Sequence, residues 1–149
     1  MKMYLGFLIL VLVSNECNQS SQNIDYSQTG VVVTYEASAR RFYEKIWITQ
    51  DSISYANDRT LNNIAVSNCS KEDWDALSEL LNKIDIKTLP SLEPTSHRNQ
   101  VDAAAMATLT VELNKESYKT KVFDHGNPPK AISELVNKVL SMKEMMTKH

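Results

Sequence analysis

The chain has 149 residues, 42% hydrophobic and 23% charged, with a formal net charge of −2. That balance belongs to a single folded domain and excludes a disordered, collagen-like or disulfide-stapled chain. Three glycines leave no dinucleotide fingerprint or phosphate-cradling loop, the common HExxH and CxxC spacings are missing, and sixteen Lys and Arg against eighteen Asp and Glu give no cationic excess for nucleic-acid binding.

Lys2 precedes an apolar run over residues 3–13. This run is too short for a bilayer core of about 30 Å, which needs about 20 apolar residues. A positive start, a short apolar run and then Ser14, Asn15, Glu16 and Cys17 read as an export signal. The expected organisation is a signal over residues 1–16, a flexible polar tether over 17–29, and one α+β domain over 30–149. Cys17, followed by Asn18 and a polar stretch to Gln22, resembles the lipid-bearing cysteine and leash of a bacterial lipoprotein, although Glu16 stands where a small residue is usual. The expected location is the cell envelope, with a lipid on Cys17 as the membrane anchor. The alternative is a soluble periplasmic or secreted protein cut near Ser14. With Cys17 lipidated, Cys69 is a lone thiol, safest when buried.

Residues 31–37 are β-branched and aromatic and predict a first strand, and residues 42–49 a second. Gln50 and Asp51 turn the chain into a third strand over 52–55, and Ile64 and Val66 mark a fourth within 61–68. At Ser70 the period changes. Ser70 and Asp73 have capping-box spacing, and Trp74, Leu77, Leu80, Leu81 and Ile84 form a helical stripe expected to stop before Leu89-Pro90.

Residues 90–103 show no periodicity and read as a long loop, a class often functional. Alternation over 104–113 predicts a strand with one buried face, and Asn114-Lys115 turns it into a partner over 117–123. Asn127 is expected to cap a second helix with Pro128 at its first position, its stripe being Ile132, Leu135, Val136, Val139 and Leu140, with a frayed tail from Met142. The fold class is therefore α+β: a single antiparallel sheet of about six strands with two helices packed on one face, in the order ββββαββα.

Four words carry a family likeness: residues 70–75 (SKEDWD), 84–90 (IDIKTLP), 101–110 (VDAAAMATLT) and 123–129 (FDHGNPP). Together with the strand–helix order they resemble a family of small uncharacterised Bacteroidota lipoproteins, and more widely an envelope-associated domain of unknown function. The resemblance spans nearly all of residues 31–140. It implies a location and an architecture, and no activity.

Two candidate sites follow. Asp102 and Asp124 are expected near one sheet edge, where one strand begins and its antiparallel neighbour ends, with His125 beside them and His97 and Arg98 in the loop before. A histidine with two carboxylates suits a divalent metal or acid–base work; equally, Asp124, Gly126, Asn127 and the two prolines suit turn and helix-entry geometry. The second is the sheet face opposite Ile46 and Ile48. There Tyr43, Lys45 and Trp47 are expected to point outwards, joined by Phe123 from the hairpin, as an aromatic patch for protein or sugar.

No catalytic residue, cofactor or metal ligand is assigned, and an enzyme is the less favoured reading. The leading expectation is a non-enzymatic envelope lipoprotein domain that binds a protein or cell-wall glycan partner, with no nucleic acid. The alternatives are an inhibitor or immunity-like protein against a hydrolase, with residues 90–103 as its loop, and a metal-dependent hydrolase centred on His125.

Overall fold

The computed structural model describes residues 26, 30–101 and 104–148. Among these residues seven strands and two α-helices follow in the order β1 (Val31–Ala39), β2 (Phe42–Ile48), β3 (Ser52–Ala56), β4 (Ile64–Asn68), α1 (Lys71–Asn82), β5 (Met106–Leu113), β6 (Glu116–Lys119), β7 (Phe123–Asp124) and α2 (Ser133–Thr147). All pair antiparallel in one open sheet ordered β4-β3-β2-β1-β5-β6, with β7 pairing β5 beyond β6. The α+β architecture expected from the sequence is the observed one.

Strict alternation explains the sheet's two faces. Val31, Val33, Tyr35 and Ala37 of β1 share the buried face with Ile46 and Ile48 of β2 and Ala107, Leu109 and Val111 of β5. Trp74, Leu77 and Leu81 of α1 and Leu135, Val136, Val139 and Met142 of α2 close over them in one core. Tyr26 joins that core, and Ser78 of α1 donates to its carbonyl at 3.3 Å, so the packed body begins within the segment expected as a tether.

Local chemistry sets the element ends. Ser70 accepts from the Asp73 amide at 3.1 Å and caps α1 as expected. The helix stops at Asn82, earlier than Leu89-Pro90, because Asp85 accepts from the Lys87 amide and starts a separate 3-10 turn, Ile86–Ser91, which absorbs Pro90. A further short turn, Arg98–Val101, lies inside the expected loop. Asn114 and Lys115 both take positive φ (52° and 71°), the two-residue hairpin geometry that matches strand twist.

Four expectations change. The strand expected over 117–123 is broken by a one-residue bulge: Lys119 pairs with Thr110, but Phe123 pairs with Ala107, one step out of register. Thr120 holds the break, its amide donating to Leu109 O (2.9 Å) while its hydroxyl accepts from Leu109 N (3.0 Å). A one-residue slip reverses faces, so Phe123 is 0% exposed and packs against Tyr35 in the core rather than on the outer patch. The second helix enters through a 3-10 turn, Lys130–Ile132, without an Asn127 cap, and its tail is not frayed: α2 runs to Thr147 with Met142 buried.

Candidate functional site

Asp102 and Cys17 lie outside the described residues. Asp124, at the end of β7, faces the same side of the sheet as its partner Met106, yet it is buried. The segment before β5 folds over it. Its Oδ2 accepts from the Ser96 hydroxyl and the Arg98 amide (2.9 Å), and its Oδ1 from the Asn99 amide (2.7 Å) and side-chain Nδ2 (2.6 Å). Burial pushes this carboxyl up, but the hydrogen bonds from Ser96, Asn99 and Arg98 outweigh it and hold the group at about 2. Asn127 completes the knot: its amide donates to Asp124 O, its side chain to Ser96 Oγ (2.7 Å), and its carbonyl accepts from Thr95 Oγ1. Asn127 therefore fastens a loop and does not cap a helix. Gly126, between them, takes the positive φ (81°) that the turn requires.

His125, one residue on, serves a different set of groups. Its amide donates to Ala105 O, and its ring stands 2.8 Å through Nδ1 from the hydroxyl of Tyr35 and against the Phe42 ring. Burial first, and then the nearby Glu44 charge, push the Tyr35 hydroxyl far above the usual phenol range. It stays protonated, and it shares one hydrogen bond with Nδ1, whose donor is set by the imidazole tautomer. Replacing Tyr35 with phenylalanine is expected to cost about 1 kcal/mol of stability, since partly exposed Nδ1 can be rewetted; chemical denaturation checks this. Asp124 and His125 thus part ways: one anchors the 96–99 loop, the other packs on Tyr35 and Phe42. Among the described residues no group of three His, Cys, Asp or Glu side chains is placed to hold a metal ion.

Tyr43 and Trp47 stand where alternation puts them, on the helix-free face and half-buried. Arg59, which donates to Ala39 O at 2.6 Å, lies 5.7 Å over the Tyr43 ring, and Lys45 lies 5.0 Å over Trp47 and 3.8 Å from Glu36. Each ring has a cation against it. The register extends this face in rows: Trp47 lies beside Ser54 and then Val66 on one side, and beside Thr34 and Thr110 on the other. Val66 is 66% exposed, Met106 49% and Ile64 46%. In the sequence Ile64 and Val66 show only as strand formers; their outward direction depends on pairing with β3.

Cys69, half-buried against the core, has its thiol pushed up by burial and then by the Asp73 charge, which opposes a reactive thiolate. Among the described residues no helix is long and apolar enough to cross a membrane. No protein-family model and no curated protein matches the chain.

Proposed function

We propose that this is an exported, lipid-anchored binding domain, held at the envelope through Cys17, whose helix-free sheet face takes a protein or cell-wall partner. One observation carries the reading. Both helices cover one side of the sheet, while the other presents half-buried Tyr43 and Trp47 beside the well-exposed Ile64, Val66 and Met106. Aromatic rings with one polar edge, set among the hydroxyls of Thr34, Ser54 and Thr110, suit a ligand that offers both apolar and hydrogen-bonding surface.

The experiment is capture from envelope extracts, and co-sedimentation with insoluble cell wall, by the wild type and by Trp47→Ala and Tyr43→Ala. Trp47→Ala is expected to weaken capture about tenfold or more, as for a central aromatic anchor. Capture unaltered by both replacements would overturn this reading. The inhibitor alternative draws on one observation of its own: residues 96–99 are hydrogen-bonded to Asp124, and Val101 just beyond them is 75% exposed. Screening against lysozyme-like and protease activities, with Asp124→Ala as a loop-loosened control, tests it. The hydrolase alternative gains nothing from Asp124, whose oxygens are taken by Ser96, Arg98 and Asn99.

A further inference from the structure

The two edges of the sheet are built differently. The β6–β7 edge carries Glu116, Lys119 and Lys121, is broken by the Thr120 bulge, and is flanked by the 3-10 turn Ile86–Ser91, with Lys121 ion-paired to Glu93. Charges, bulges and covering segments are the means by which an edge strand is kept from pairing with another chain. The β4 edge has none of these among the described residues. No charged residue occurs from Thr60 to Ser70, and Ile64, Ala65, Val66 and Asn68 are all exposed.

The ladder's phase decides which backbone groups this edge offers. Cys69 donates to Asp51 O at 3.1 Å, and Ser52 accepts from Thr49, so Ser52 turns its backbone towards β2. Bonded residues alternate along an antiparallel strand. Ser67 and Ala65 therefore bond to β3 opposite Ile53 and Tyr55, while Asn68, Val66 and Ile64 turn their N–H and C=O outwards. The same three residues place their side chains on the helix-free face, because their partners Ser52, Ser54 and Ala56 share it with Trp47 and Lys45.

We propose that β4 pairs antiparallel with β4 of a second copy of this chain, about a two-fold axis through Val66. Every free group then finds a partner. Val66 bonds Val66 of the second copy and Ile64 bonds Asn68, which amounts to about six hydrogen bonds. A two-fold contact sets the central residue against its own symmetry mate, so a charge there would repel itself; this strand has none. The two Val66 side chains meet on the outer face, flanked by Ile64 of each copy. The axis stands perpendicular to the sheet, so both helix layers fall on one side and both open faces on the other. The two Trp47 rings then lie about 24 Å apart on one continuous face, five strand spacings across. That doubled face rests on the binding role proposed above; the pairing does not.

The experiment is sedimentation analysis of the full chain in a non-ionic detergent, with amide exchange read over residues 64–68. The wild type is expected to be dimeric at micromolar concentration, with protection at Ile64, Val66 and Asn68 that rises with protein concentration. Val66→Lys should return the mass to that of one chain without changing the circular dichroism. Val66→Pro is a second variant: the lost N–H is one that β3 does not use, so the sheet survives while the symmetric contact goes. A chain that is monomeric throughout overturns the proposal. So does association that survives both variants, which belongs to the leader or another surface, and so does a monomer that gains protection over 64–68 only on adding extract peptides, which assigns the edge to a foreign strand. Dimerisation with capture unaltered by both Trp47→Ala and Tyr43→Ala would uphold the pairing and reject the binding face.

Discussion

Replacing Lys143 with methionine is expected to cost about 3 kcal/mol of folding stability. Glu44 lies on the buried face of β2, 4% exposed, and Lys143 of α2 donates to its Oε2 at 2.7 Å while standing 5.5 Å over the Tyr55 ring. The other carboxylate oxygen, Oε1, has no hydrogen-bond partner among the described residues. A carboxylate so placed depends on one counter-charge, and removing that charge leaves it desolvated and unpaired. Removing both members has a different outcome: Glu44→Met with Lys143→Met is expected to lie within about 1 kcal/mol of the wild type, because a buried ion pair gains little over well-packed apolar groups. Denaturant unfolding of the four proteins of this cycle checks the result. Additive single effects with no coupling would show that the pair contributes nothing as a pair.

The same contact ties the last turns of α2 to the sheet. Residues 142–148 read as a tail because they mix Met, Lys, Glu and Thr. Yet Met142 and Met146 follow Val139 at three- and four-residue spacing, so the stripe was there to be extended. What the sequence did not show is that Glu44, nearly a hundred residues away, waits under Lys143. Alternation in β1, β2 and β5 and the Ser70 cap were legible because they are local, repeated signals. The face of Phe123 was not, since one extra residue near Thr120 reverses everything after it and leaves no periodic trace.

The candidate sites divide in the same way. The outward direction of Tyr43 and Trp47 followed from period two alone. The contrast between Asp124 and His125 did not: adjacent in sequence, they take partners from Ser96–Asn99 in one case and from Tyr35, 90 residues distant, in the other. The unguarded edge at β4 was hidden for a related reason, because only pairing order shows which strand is last.

Asp124→Asn is expected to release residues 96–101 and to remove an acid dependence of stability. The carboxylate receives four hydrogen bonds, from two backbone amides, a hydroxyl and a side-chain amide. An asparagine keeps one acceptor oxygen and turns an NH2 towards donors, so about half of these bonds go and the amides of Arg98 and Asn99 compete for what is left. A fall in Tm of about 5–10 °C is expected for a domain of this size, with faster amide exchange confined to residues 96–101. The pH dependence has a definite sign. Asp124 is held at about 2, below the ordinary value of 3.8. Its contribution is therefore complete above about pH 4 and is lost as the pH falls from there towards 2, where the folded state must take up the proton as the unfolded chain already has. The wild type should lose stability across that window, and Asp124→Asn should show a shallower slope there. An unchanged acid slope, or unaltered exchange over residues 96–101, would show that the loop is held by Asn127 and Thr95 rather than by the carboxylate.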